Sequence, residues 1–266
     1  MNTIVCTKQI IDPEAPPSSF KIDTVANKVV PPADILPVLD PYSEYAVEAA
    51  LKLKDIHGGQ VTVISLGAGL LREIIKKPLA MGADELVLLE DESFTNGDSW
   101  STAYALAAAI RKIGDYGLIL CGRQSADCDA GQVGSGIAEF LGLPVITLAR
   151  QIDISDGSAR VERVTTDGYE VIETPLPAVI TVSNEIGEPR YPTIRGIMAS
   201  KKTEPTIWQP TDIGLEPSQV GVAGRRCQVV RLFQPERECS CQIIDGDTPE
   251  EVAVNLVERL RQEKLL

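Results

Sequence analysis

A chain of 266 residues is long enough for one core with appendages or for two small domains. Its 44 % hydrophobic and 24 % charged residues suit a globular fold, and no apolar run approaches the roughly 20 residues that span a bilayer. A net charge of −13 at pH 7 argues against nucleic acid, whose phosphates need a basic face, and suits a partner that presents basic residues.

Residues 3–7 open the chain as a candidate strand, preceded by no basic n-region, apolar h-region or cleavage site, so the expected location is the cytoplasm, or a matrix after import. Residues 12–41 form an insertion. Within it, 20–23 and 28–30 flank Ala26-Asn27 as a small surface hairpin. Residues 44–54 combine good helix formers with an amphipathic pattern. Residues 60–65 are rich in β-branched side chains and read as a buried strand. A helical pattern over 70–81 must kink or break at Pro78. A strand at 85–89, an alanine-rich helix at 99–112, a strand at 118–121, a helix at 131–141 and a short strand at 145–147 follow. This alternation predicts an α/β domain of three layers, a Rossmann-like parallel sheet with helices on both faces. Residues 160–166 and 169–173 form a second hairpin through Asp167-Gly168. After Ser200 the periodicity fades, and Pro205, Pro210 and Pro217 mark an extended C-terminal arm. A last helix starts at Thr248 as N-cap, with Pro249 and Glu251 in its first turn, and runs to about Lys264.

The six cysteines, Cys6, Cys121, Cys128, Cys227, Cys239 and Cys241, match no zinc or iron–sulfur spacing, and the two sulfurs of Cys239-Ser240-Cys241 cannot hold a cluster. No metal site is expected. The one histidine, His57, stands beside Gly58-Gly59 at a helix end, so nucleophile–histidine pairs have a poor candidate and no catalytic residue is assigned.

The most informative segment runs from Leu118 to Gly134, where a buried strand ends at Gly122 and a polar loop leads into a helix. Free backbone N–H groups and the positive end of a helix dipole would then face the carboxyl edge of the sheet, a place for a phosphate. Gly122, Gly131 and Gly134 would let the backbone approach a ligand. The same residues also read as an ordinary capped helix with Asp129 as the cap. Neither a Walker loop nor a G-x-G-x-x-G opens a helix here.

Four stretches resemble electron-transfer flavoprotein beta subunits: the Gly122-Arg123-Gln124 loop with its Asp127-Cys128-Asp129, Asp40-Pro41-Tyr42, Ala80-Met81-Gly82-Ala83-Asp84, and Glu188-Pro189-Arg190-Tyr191 followed by Ile197-Met198 and Lys201-Lys202. The resemblance covers Cys6 to about Gly214. It implies an adenine-nucleotide pocket at Cys6, Asp40, Pro41, Tyr42, Ser43, Leu66, Gly122, Arg123, Gln124, Ser125, Ala126, Asp127, Cys128, Asp129, Ala130, Gly131, Gln132 and Val133. Ordinary members hold AMP there, and electron-bifurcating members a second FAD. Asp127, Asp129 and Gln132-Val133-Gly134 keep the bifurcating pattern, whereas Cys128 and Ala130 replace its glycine and threonine, so both ligands stay open. Tyr42 matches an aromatic position near the flavin that the alpha subunit carries, or packs beneath its helix. Pro192, Thr193, Ile194, Arg195, Gly196, Ile197 and Met198 resemble the loop that docks onto a dehydrogenase, with Ile194 as its apolar anchor.

The implied organisation is a nucleotide-binding domain over 1–200, with the hairpin insertion at 12–40 and a docking loop at 184–200, followed by an arm and helix over 201–266 that contact the alpha subunit. The implied function is an electron carrier in an obligate heterodimer with an FAD-carrying alpha subunit. It would exchange electrons with flavin dehydrogenases of the acyl-CoA dehydrogenase type, and with NADH if it bifurcates. The alternative is a stand-alone nucleotide-binding regulator of the universal-stress-protein type, which shares the layers but leaves Glu188-Pro189-Arg190-Tyr191 and the arm unexplained. An N-type pyrophosphatase is rejected, because Thr7-Lys8-Gln9-Ile10 stands where a Ser-Gly-Gly-x-Asp-Ser loop is needed.

Overall fold

The computed structural model describes residues 1–32, 34–235 and 241–266, so Cys239 and Ser240 of the Cys-Ser-Cys stretch lie outside the described residues. All five residues of β1 (Thr3–Thr7) are buried, which requires a sheet covered on both faces. A short β2 (Gln9–Ile11) follows, then the surface hairpin of β3 (Lys21–Asp23) and β4 (Lys28–Val30), and β5 (Pro37–Leu39), which pairs back onto β2. Asp40 caps α1 (Pro41–His57) by accepting from the Ser43 amide, and Gly58 ends it, with His57 in the last turn. After β6 (Val61–Gly67), the helical pattern over 70–81 resolves into α2 (Arg72–Ile75) and α3 (Lys77–Met81). The break at Lys76 follows from Pro78, which has no N–H to continue the ladder. β7 (Glu85–Glu90), α4 (Ser99–Ile113) and β8 (Leu118–Gly122) lie close to the predicted spans. α5 (Val133–Leu141) starts later than the expected residue 131, because Asp129 and Gly131 take the left-handed φ values 51° and 62°.

The strand expected at 145–147 is far longer: β9 (Val145–Ser155) turns through Asp156-Gly157 into β10 (Ser158–Thr165). The φ values of 48° and 76° at Asp156 and Gly157 suit a two-residue primed turn. β11 (Gly168–Pro175) pairs with β10 so that Gly168 faces Thr165, which moves the second turn to Thr166-Asp167. β12 (Ala178–Val182), α6 (Ile194–Lys202), β13 (Thr206–Trp208) and α7 (Gly221–Gly224) complete the first of two compact units, which ends at Val230.

One nine-stranded sheet orders the main strands β11-β10-β9-β12-β8-β1-β6-β7-β13, parallel from β9 to β13 and antiparallel at β10 and β11. Side-chain alternation sorts it into two cores. Val5, Val63, Leu88, Leu120 and Ile180 pack with α1, while Ile4, Ile64, Leu89, Ile119 and Val179 pack with α4 and α5. These are the three layers the alternating pattern predicts.

The stretch after Ser200 differs from the expected arm in its first part. β13 adds parallel to β7, Lys112 Nζ donates to the Asp212 carbonyl at 2.6 Å, and Ile213, Leu215 and Val220 are buried in the α4 core. Burial of these three places them with the first compact unit, Met1–Val230. The second unit, Arg231–Leu266, contains α8 (Pro249–Gln262), whose cap Thr248 accepts from the Glu251 amide. No residue of α8 is buried, and Val254, Leu256 and Val257 are exposed. Among the described residues no helix is long and apolar enough to cross a membrane.

Candidate functional site

From β1 the chain winds outward through β6 and β7, then returns to place β8 on the other side of β1. The connections leaving β1 and β8 therefore diverge and open a crevice at the carboxyl ends of these strands, the general ligand position in open α/β sheets. Hydrogen bonds show which residues meet there. The Lys8 amide donates to Ser43 Oγ at 3.2 Å, and the Asp40 amide to the Lys8 carbonyl at 2.9 Å. Asp40 is buried; Oδ2 accepts from Ser43 N and Oγ, and Oδ1 from the Ala126 amide at 2.9 Å. Burial pushes the Asp40 carboxyl up, against the pull of those donors. A single carboxylate thus ties the start of α1 to the loop after β8.

Lys8 makes the second tie. Its Nζ donates to both carboxylate oxygens of Asp127 at 2.7 and 2.8 Å and to Ser125 Oγ at 3.3 Å. Burial pushes the Asp127 carboxyl up, but the hydrogen bond and charge of Lys8 outweigh it and hold the group below its ordinary range. Lys8 has no part in the sequence-derived site, although it directly follows β1.

The other loop residues sort into packing and open surface. Gln124 donates to Asp129 Oδ1 at 2.7 Å and to the Tyr42 hydroxyl at 3.4 Å. The Arg123 guanidinium stands 5.7 Å from the Tyr42 ring centre and 3.4 Å from Ser183 Oγ. Cys128 is exposed, with Sγ 3.1 Å from Ser125 Oγ, and Ala130 and Gly131 are exposed beside it. Among the described residues no side chain caps α5, whose N-cap is Gln132 and not Asp129. No side chain among them bonds the first-turn amides of α5, which begins at Val133 beside the loop. Two of the three glycines serve protein packing rather than ligand approach. A Cβ on Gly122 would lie 2.7 Å from Tyr42 Cβ, and one on Gly134 only 2.5 Å from Thr181 Cγ2. Pro41 and Tyr42 form the first turn of α1, and Leu66, one position past the Ser65–Thr7 pair, shares the carboxyl edge. Cys6 lies beneath that edge, opposite Cys121 in register, and this hydrogen-bond partner together with burial pushes its thiol up.

The expected docking residues lie elsewhere on this unit and form a helix, not a loop. Thr193 Oγ1 accepts from the Gly196 amide at 3.0 Å and starts α6. Gly196 seats α6 on α3, since an added Cβ would come 2.2 Å from the Ala80 carbonyl oxygen. Ile194 is 80 % exposed, and Arg195, Ile197 and Met198 are exposed with it, while Pro192 is half-buried. Among the described residues no cluster of three or more His, Cys, Asp or Glu could hold a metal.

Residues 34–213 match the family model of the electron transfer flavoprotein domain. The chain is 40 % identical over 267 residues to the caffeyl-CoA reductase-Etf complex subunit CarD of Acetobacterium woodii, with 100 % of both chains covered. It is 37 % identical over 267 residues to the electron transfer flavoprotein subunit beta of Thermoanaerobacterium thermosaccharolyticum, again with 100 % of both covered. The corresponding subunit of Megasphaera elsdenii is 33 % identical over 275 residues, with 100 % of both covered.

Proposed function

The chain belongs to the electron transfer flavoprotein family as a beta subunit, and from that premise we propose that it holds an adenine nucleotide in the crevice between β1 and β8. Members of this family transfer electrons together with an alpha subunit and flavoenzyme partners. The observation that carries the proposal is the pair of ties across the crevice, Asp40 to Ala126 and Lys8 to Asp127, which hold a loop next to the uncapped start of α5. The uncapped start of α5 and the positive end of its dipole suit the phosphate end of a nucleotide, and Arg123 in the loop after β8 adds a positive charge. A flavin bound in the complex supplies the redox chemistry. The part of this chain is to bind, orient and set the local charge.

In this reading the partner is an FAD-carrying alpha subunit, contacted by α8 and its uncovered Val254, Leu256 and Val257. The heterodimer works in the cytoplasm and exchanges electrons with a flavin dehydrogenase of the acyl-CoA dehydrogenase type, which α6 docks through Ile194. FAD is the nucleotide favoured by the retained Asp127, Asp129 and Gln132-Val133-Gly134, with bifurcation from NADH as its consequence. AMP is the second reading, favoured by the Cys128 side chain, which fills loop space where the bifurcating pattern has glycine.

Flavin absorbance against total protein in the purified heterodimer decides between them. FAD in the crevice gives about two flavins per heterodimer and ready reduction by NADH. AMP gives one flavin, with a comparable amount of AMP in the acid extract. Recovery of neither nucleotide beyond the alpha-subunit flavin would remove the site itself.

A further inference from the structure

Asp98 is the N-cap of α4, where its Oδ1 accepts from the Ser101 amide at 2.9 Å and its own amide donates to Ser101 Oγ at 3.1 Å. This reciprocal pair satisfies the start of the helix. The second carboxylate oxygen serves a distant part of the chain. Oδ2 accepts from the backbone N–H of Arg226 at 2.7 Å and from that of Cys227 at 2.8 Å, 128 and 129 positions away.

Capping alone does not call for an aspartate, since serine, threonine and asparagine also cap well. An asparagine would turn its amide group, a donor, towards two N–H donors. A carboxylate can cap α4 with one oxygen and hold two further amides with the other, and its charge strengthens those bonds. Burial pushes the Asp98 carboxyl up, but the donors of Ser101, Cys227 and Arg226 outweigh it and hold the group below its ordinary range.

The contact lies close to the end of the first compact unit. Just before it α7 is pinned: Val220 is fully buried, and a Cβ on Gly221 would collide with the Ser93 carbonyl. At the contact the Arg226 guanidinium lies 4.9 Å from the Trp100 ring centre, and Trp100 meets Phe140 of α5 edge-on at 4.8 Å. After it residues 228–230 are exposed, with a long 3.4 Å bond from Asn27 Nδ2 to the Val230 carbonyl, and the second unit begins at Arg231.

We propose that Asp98 anchors the exit of the chain from the first unit, with Arg226 on Trp100 as its clasp, and so fixes the point from which Arg231–Leu266 starts. Asp98 and Arg226 are positioning residues, because they act through the segment they hold. A fixed starting point lowers the entropy that the second unit loses when it orders against a partner. That consequence rests on the reading of the second unit as a contact of the alpha subunit, whereas the anchor itself does not.

The test uses the purified heterodimer. Asp98→Asn keeps the Oδ1 cap and loses the second acceptor. Amide hydrogen exchange at Arg226 and Cys227 should quicken about tenfold while α4 keeps its wild-type protection. Dissociation on dilution should set in at about fivefold higher concentration, with nucleotide content unchanged. Arg226→Gln alters only an exposed side chain, so it stays measurable if Asp98→Asn fails to assemble. It should quicken the same exchange about threefold, and wild-type exchange in it would overturn the clasp.

Wild-type exchange at Arg226 and Cys227 in Asp98→Asn would overturn the anchor. Loss of protection along the whole of α4 would overturn it too, by marking Asp98 as a cap alone. Leu256→Asp, in α8, tests the underlying reading separately: undiminished heterodimer affinity removes the alpha-subunit contact and leaves the exchange result standing. If Leu256→Asp weakens the heterodimer while Asp98→Asn quickens exchange without changing affinity, the positioning role is overturned.

Discussion

Asp127 and Lys8 are separated by 119 positions in sequence, which is why the best-formed contact of the crevice is not legible there. Single residues show their chemistry in a sequence, but not which distant partner neutralises them. The folded Asp127 carboxyl lies below its ordinary range, after Lys8 overcomes the effect of burial. Its contribution to stability is therefore complete above the unfolded value of about 3.9 and is lost as pH falls through the folded one. Thermal midpoints measured from pH 5 downward should fall more steeply for the wild type than for Asp127→Asn, and parallel curves would show that the pair does not titrate with folding. Gly134 illustrates a second limit. Its spacing with Gly131 suggested ligand approach, whereas the space is filled by Thr181. Gly134→Ala should destabilise the protein by about 1–3 kcal/mol through overpacking, and Thr181→Ser, which removes Cγ2 but keeps the hydroxyl bonded by the Leu148 amide, should restore most of the loss in denaturant titration.

Elements were most legible where one periodicity held over several turns. α1 and α4 and the parallel strands β1, β6, β7 and β8 follow the apolar pattern closely, because each buries a continuous face. Shorter or exposed elements were harder. β9 and β10 mix buried and exposed positions, and the turn dipeptide Asp156-Gly157 is the signal that separates them. The span of α6 resembles a docking loop, and Gly196 within it lowers helix propensity by about 1 kcal/mol relative to alanine. Contact with the Ala80 carbonyl explains that glycine, and Thr193 was the available cap signal. At this scale the expected outcome is for Ile194: burying an isoleucine is worth roughly 2–3 kcal/mol. Ile194→Ala should therefore weaken association with the dehydrogenase ten- to hundredfold, by about that energy, and leave bound flavin and nucleotide unchanged. Stopped-flow coupling rates at several heterodimer concentrations would measure it.

At the scale of the molecule, alternation of strands and helices implied a layered parallel sheet, but not the strand order. Periodicity is the same whichever side of β1 the next strand joins, so the switch between β6 and β8 emerges only from packing. Arg231–Leu266 is too small a unit to bury the apolar residues of α8, and Val254, Leu256 and Val257 remain exposed. Limited proteolysis of the chain without an alpha subunit should cut first beyond Val230, and co-expression with one should protect that stretch; equal cleavage in both preparations would argue against the contact. α1 has a dual attachment with a different kind of consequence. Asp40 and Ser43 at its start belong to the crevice, and Glu48, Lys52 and Asp55 bond the segment before α6 at Arg190 and the Ile186 carbonyl. A helix advances about 100° and 1.5 Å per residue, so the two attachments are phased like teeth on one shaft. Inserting one alanine between Ser43 and Glu48 would leave every side chain present and put the two sets out of step, whereas the same insertion after His57 would not. Helix length, which no single side chain encodes, is thereby made a constraint on this chain's history of insertions and deletions.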